Sequence, residues 1–431
     1  MTSDRRFEEG VPRLLDDLYV GPMPAYRDQL LQQTARIRQR PAWSFLERWL
    51  PMVDVARQPL RTLRMPWRTI GLVLVVLALI AAMVFAFAAG SQPPLPAPFG
   101  LARTGLVAYD SGGDIYTADP VTGVSTVIVR GPETDINPRW SRDGTTLVFE
   151  RRAAGAEGPG LLFVVHGDGS NLMRITPDAI PAIASYAFSP DGKQILISSS
   201  SGAQRVLIAA ADGTGIRPID TPHPATSPTW RPPNGSEILF TDSGDASSGW
   251  PGIYTVDAAG GKVRTIREGL TGRNRSDPQW SPNGAWISYV EWSNFGDGMS
   301  AETHVMAADG SRDRVLPIPP GAVWQAAWSW SNDSTRLLAI RGTSWGMDET
   351  RAVAIPADGS GFGVEIQYPG AIQAGCCSSW EWAPNDQSIL GTPVDETGAF
   401  LDQVLLDPAA GTFRTLPWTS VSHPSFQRLA P

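Results

Sequence analysis

The sequence predicts an all-β protein, a seven-bladed β-propeller placed behind a short helical segment and one transmembrane helix, and three observations predict it. From about residue 100 onward, an aromatic residue followed by a tight polar turn recurs roughly every 48 residues. Between consecutive copies the same order returns: apolar strand, second strand, Asp-Gly or Gly-Gly hairpin, further strand. The 431 residues include 43 Gly and 38 Pro, a level that favours turn-rich β structure over long helices.

Residues 1–69 hold twelve Arg, no Lys and eight acids, while the rest of the chain holds 23 basic and 35 acidic residues. The two parts therefore differ in sign, and a net charge of -8 leaves no basic face of the kind general nucleic-acid binding needs. Pro24 to Arg40 reads as a helix with Tyr26, Leu30, Thr34 and Ile37 on one face, and Trp43 to Leu50 as a second amphipathic stretch. Ile70 to Ala89 is a run of twenty residues without charge. At about 1.5 Å per residue it matches a hydrocarbon core of roughly 30 Å, so 70–90 is read as a transmembrane helix. Arg61, Arg64 and Arg68 precede it with Trp67 at the interface, and no basic residue follows until Arg103. That asymmetry places the N-terminus in the cytoplasm and the remainder outside. The rival reading is a cleaved signal peptide ending at Ala86-Phe87-Ala88; against it, 69 residues precede the run, where signal peptides carry a short leader. Residues 91–99 include four Pro and form a stiff spacer.

The repeats fill 100–431. Anchors are Trp140, Phe188, Trp230, Trp280, Trp328, Trp382 and a degenerate seventh at Phe426, separated by 48, 42, 50, 48, 54 and 44 residues. After each turn comes an apolar strand such as Leu147-Val148-Phe149 or Ile195-Leu196-Ile197, then a hairpin at Asp168-Gly169, Asp212-Gly213, Gly260-Gly261, Asp309-Gly310 or Asp358-Gly359. Residues 105–130 supply three strands without an anchor, and Ser422 to Arg428 an anchor strand without followers. Pairing the two closes the ring as a seventh blade and removes exposed sheet edges. The anchor aromatics are expected to pack between blades.

The turn of the form Trp-Ser-Pro-Asp-Gly, the short apolar strand and the Asp-Gly hairpin resemble the TolB-type propeller repeat, found also in the propellers of prolyl oligopeptidases and dipeptidyl peptidases. The resemblance covers residues 100–431 and implies fold far more than function, because such propellers include protein-binding modules, substrate gates and sensors. Seven blades depart from the six of TolB itself. Short cytosolic helices, one span and an outer domain are together similar to membrane-bound anti-sigma factors of bacteria. The zinc-binding subtype is not supported, since residues 1–69 contain no His and no Cys. Helices lying on the inner membrane surface through Arg and Trp are the alternative.

Chemistry-bearing motifs mostly fail. Gly342-Thr343-Ser344-Trp345-Gly346 has the form of a hydrolase nucleophile elbow, but a strand follows it in repeat register where the elbow needs a helix. No α/β-hydrolase domain is read after the propeller. His166, His223, His304 and His423 lie in separate repeats, so no metal site and no cofactor are expected. Cys376-Cys377 is either a vicinal disulfide or two reduced thiols. The longer loops alternate with the tight turns and so share one rim. They carry ten acids, including Glu291, Asp297, Asp348 and Glu349, and no Lys or Arg, beside Trp250, Trp292 and Trp345. Exposed aromatics among carboxylates suit a cationic ligand; a solvated acidic surface is the other reading.

The function expected from these features is a non-enzymatic, membrane-anchored propeller outside a bacterial cell membrane. It would bind a protein, peptide or small cationic ligand and signal through residues 1–69 to a cytosolic partner. A channel-centred enzyme, lactonase- or hydrolase-like, and a structural envelope scaffold are the alternatives.

Overall fold

The computed structural model describes residues 73–78 and, from 99 to 430, all but 156–159, 177–179, 181–182, 200–205, 222–224, 243–250, 296–297, 344–349, 367–379, 394–400 and 419–421. The chain divides into two units, Met1–Gly90 and Ser91–Pro431. In the first, only a helical stretch at 73–78 is described, with Val73, Leu74, Val75, Val76 and Leu77 exposed. Among the described residues no helix is long and apolar enough to cross a membrane. The amphipathic stretches and the remainder of the apolar run fall outside the described residues.

In the second unit the strands form seven four-stranded antiparallel sheets. Blade 1 is composite, as expected: its spatial order is Ser422–Leu429, Arg103–Ser111, Asp114–Ala118, Ser125–Val129. The C-terminal strand thus takes the inner place, with Val107 opposite Phe426 and Ala108 opposite Ser425. Blades 2 to 7 each use four consecutive strands and open on the inner strands Thr134–Trp140, Ile183–Phe188, Ala225–Trp230, Arg273–Trp280, Trp324–Trp330 and Trp380–Trp382.

An anchor residue ends the inner strand of each of blades 2 to 7, and all seven anchors are at most 8% exposed. They fill the gaps between blades. Trp230 of blade 4 packs with Leu196, Val206 and Ile208 of blade 3, and Phe426 of blade 1 with Ala383 and Leu390 of blade 7. One anchor differs from the sequence reading. In blade 6 it is Trp330, not Trp328, because Ser331, directly after Trp330, forms the repeat's turn by donating to Asp333 Oδ1 at 2.6 Å. Trp328 is half-buried and donates from its indole nitrogen to the Trp380 carbonyl of blade 7 at 3.1 Å.

The turn after each anchor has a local cause. The Ser141 hydroxyl donates to Asp143 at 2.6 Å and accepts the Thr146 amide at 3.0 Å, and Ser189 and Ser281 repeat the arrangement. The last position of the turn needs a left-handed backbone, with φ of 71° at both Gly144 and Gly192. At Gly144 a second constraint acts, since a Cβ there would lie 2.1 Å from the Arg428 carbonyl oxygen of the closing strand. At Gly192 nothing lies within 4 Å. Gly192→Ala should therefore cost only the left-handed term, about 1–2 kcal/mol, while Gly144→Ala should cost clearly more because backbone must move. Denaturant midpoints of the two variants, measured side by side, check this, and equal losses would show that the closing strand does not press on the turn.

Candidate functional site

Of the rim residues expected from sequence, Trp250, Asp297, Trp345, Asp348 and Glu349 lie outside the described residues, as do Cys376 and Cys377. Glu291 and Trp292 are described, and they are not an exposed binding surface. Residues 291–295 and 298–302 belong to two long paired strands, Trp286–Phe295 and Gly298–Ala307, in which Glu291 stands opposite Glu302. Glu291 is buried and paired with Arg273 at 3.0 Å and Arg275 at 2.9 Å. Trp292 is half-buried and donates to the Ser276 hydroxyl at 2.9 Å. The loops carry no arginine of their own, but the strand beneath provides two. A charge count confined to loops missed that neutralisation.

The same sheet places His304 near Glu302 and Glu291, the one group of three metal-ligating side chains among the described residues, with ligand atoms within 4.8 Å of one another. The signal was present in the sequence: residues two apart on a strand share a face, so Glu302 and His304 point the same way. The chemistry does not suit a cation. Glu291 already faces two guanidinium groups. His304 Nδ1 lies 3.0 Å from the Tyr289 hydroxyl and 3.3 Å from Asp313, which Arg267 of blade 4 also pairs at 2.5 Å. Burial opposes ionisation of Asp313, yet bonds from His304 and Tyr289 and the Arg267 charge prevail and hold its pKa below the usual range. This is a network that ties blade 5 to blade 4.

The central channel is different. Two cavities lie along it, of about 430 Å³ and about 250 Å³, and they share Tyr186 and Ala187. The larger is rich in hydroxyls, among them Ser185, Ser199, Thr226 and Thr229. The smaller lies toward the anchor turns and is lined by Arg139, Arg142, Glu381 and Arg428, with Asn332 and Ser425. Arg428 is aimed by neutral acceptors: it donates to Asn332 Oδ1 at 2.7 Å and to the Gly100 carbonyl at 2.5 Å. The Arg142 guanidinium lies 4.7 Å from the centre of the Phe99 ring. Glu381 Oε2 has no hydrogen-bond partner among the described residues.

Burial raises the Glu381 pKa above the usual carboxylate value, against the opposing pull of Arg139, Arg142, the Phe426 amide and Arg428. Crowding by neighbouring groups also lowers that of Arg142, although its side chain keeps an exposed face, and Glu381 partly restores it. Arg428 is pushed down to about 10, by burial first and then by repulsion from Arg142. The Tyr186 hydroxyl, raised well above its ordinary value by burial, stays a donor and bonds the Asn137 carbonyl at 2.6 Å. A carboxyl with raised proton affinity among partly desolvated cations can take and return a proton.

Sequence reasoning missed this site, although a signal existed. The residue just before each anchor and the residue two places after it recur around the channel wall. Among the seven preceding residues only Arg139 and Glu381 are charged, and among the seven following residues only Arg142 and Arg428. All four belong to blades 7, 1 and 2, which are neighbours in the ring.

The chain is similar to several known proteins. The uncharacterized peptidase YuxL of Bacillus subtilis is 23% identical over 180 residues, 41% of this chain and 24% of that protein. The chain thus spans about a quarter of the length of the curated relative it matches. The oligogalacturonate lyase of Vibrio parahaemolyticus superposes with a TM-score of 0.55 at 15% identity, covering 74% of this chain and 92% of that one. An oligogalacturonate lyase in complex with manganese gives 0.51 at 14% identity, over 71% and 84% of the two chains. No protein-family model matches the chain. The fold is a seven-bladed β-propeller. At these identities the structural likeness shows the fold alone. The expectation of a non-enzymatic binding module is corrected by these comparisons, because the names they bring are those of a peptidase and of lyases.

Proposed function

We propose that the chain is a channel-centred enzyme of the hydrolase type. The observation that carries this reading is Glu381, a carboxyl of raised proton affinity with one unpartnered oxygen, lining a cavity beside three guanidinium groups. The Glu381 carboxylate takes a proton from water, and the resulting hydroxide attacks the carbonyl carbon of an ester or amide. The positive potential of the neighbouring guanidinium groups offsets the negative charge that develops on the carbonyl oxygen. As the C–O or C–N bond breaks, Glu381 returns the proton to the leaving oxygen or nitrogen, so acid plus alcohol or amine replaces substrate plus water. Purified full-length chain assayed on lactones, p-nitrophenyl esters and aminoacyl p-nitroanilides tests this. Turnover of one class supports the reading, and no turnover of any contradicts it.

The supporting features for a membrane setting are the uncharged run Ile70 to Ala89 and the arginines before it. In this reading residues 70–90 anchor the enzyme in a bacterial cell membrane, with residues 1–69 in the cytoplasm for a regulatory partner and the propeller outside. Protease added to spheroplasts should degrade the propeller and spare residues 1–69. A protected propeller would overturn the orientation.

A further inference from the structure

The charge around the channel is lopsided. Charged residues beside the anchors fall on blades 7, 1 and 2, where three guanidinium groups and one carboxyl share a cavity of about 250 Å³. The adjoining cavity of about 430 Å³, on blades 3, 4 and 5, is lined mostly by hydroxyl and small side chains. Stability alone gives no reason to gather Arg139, Arg142 and Arg428 in one sector, since like charges in a confined space repel.

We propose that Arg139, Arg142 and Arg428 form a subsite for an anionic group of the substrate, a carboxylate or a phosphate, whose uncharged remainder extends past Tyr186 into the hydroxyl-rich cavity. The proposal rests on the channel reading above and names the substrate class for it. Guanidinium groups present planar forks of donors that match the oxygens of carboxylate and phosphate. Arg139 and Arg142 make no ion pair or hydrogen bond to any described residue, so their forks are not consumed within the fold. Arg428 is held at a fixed angle from below by Asn332 and Gly100. Burial lowers the Arg428 pKa and the like charge of Arg142 lowers it further, and a bound anion would offset that repulsion. Glu381 then sits at the edge of the anion and not under it, in position to act on the bond next to the charged group.

The test is titration calorimetry on the full-length chain in detergent, with citrate, inorganic phosphate and, as a neutral control, glucose. The expected result is binding of citrate or phosphate with a dissociation constant at or below the millimolar range, weakening as sodium chloride is raised, and none for glucose. Whichever anion binds more tightly identifies the source of the charge. The double variant Arg139→Gln/Arg142→Gln should bind at least ten-fold more weakly with an unchanged melting temperature. Glu381→Gln should bind at least as tightly as wild type, because it removes a competing carboxylate. Anion binding that survives in Glu381→Gln beside unimpaired turnover would sustain the subsite while ending the catalytic role of Glu381. Absence of binding by both anions, or equal binding by wild type and the double variant, would overturn the subsite itself.

Discussion

Deleting Ser422 to Pro431 is expected to abolish cooperative folding of the propeller. The lost strand is the inner strand of blade 1 and pairs with Arg103–Ser111 through five matched positions. It carries Phe426, 4% exposed, into the cluster of Val107, Tyr109, Leu390 and Trp418. It also joins other blades directly. Gln427 donates to the Gly144 carbonyl of blade 2 at 2.7 Å and accepts the Leu106 amide at 3.1 Å, while Arg428 reaches Asn332 of blade 6. Truncating one buried Phe to Ala costs about 3–5 kcal/mol, against a typical domain stability of about 5–15 kcal/mol. Phe426→Ala should therefore leave a weakened but cooperative melt, and the deletion, which adds an open edge and lost cross-blade bonds, should leave none. Thermal melts followed by circular dichroism decide between them. A truncated chain that melts cooperatively near the wild-type temperature would show that the ring closes without this strand.

Glu381→Gln is expected to lower kcat by about 10²–10⁴-fold, the usual contribution of general acid–base catalysis. The substitution keeps the shape and removes the proton-transfer function. It also removes a half-buried ionisable group whose raised pKa means that the fold favours its neutral form. The sign of the stability effect follows. A carboxyl with raised folded-state pKa weakens the native state as pH rises above its unfolded value of about 4.3, so the amide should match or slightly exceed wild-type stability at neutral pH. Loss of turnover in a variant at least as stable as the parent separates a catalytic role from a structural one.

The ring was legible because its cause is local and repeated. The Ser-to-Asp or Ser-to-Asn bond of four of the turns, the left-handed residue that ends the turn and the apolar strand that follows are short-range chemistry, so the composite blade could be read from Leu106 to Tyr109 and Ser422 to Arg428. Blade 6 was read one strand period out, at Trp328, because two tryptophans stand two residues apart in its inner strand; an irregularity between Ala327 and Ser329 sends Trp328 toward Trp380 of blade 7 while Trp330 packs with Val305 and Leu316 of blade 5, and the Ser331 bond marks Trp330 as the anchor. The channel was not legible for the opposite reason. Arg139 is separated from Glu381 and Arg428 by more than two hundred positions, and the three meet only when the ring closes. A rim argument built on loops also could not see that Arg273 and Arg275 rise from the neighbouring strand to neutralise Glu291.

The most direct measurement of the account is the pH dependence of kcat/KM for full-length wild type and Glu381→Gln on the same substrate. A carboxylate acting as base must be deprotonated in the free enzyme. The wild-type rate should then rise with pH through an apparent pKa above the ordinary glutamate value of about 4.3, as burial of Glu381 among Arg139, Arg142 and Arg428 dictates. In Glu381→Gln that limb should vanish and leave a low, flat rate. The same limb and the same rate in both proteins would contradict a reaction centred on the channel carboxyl.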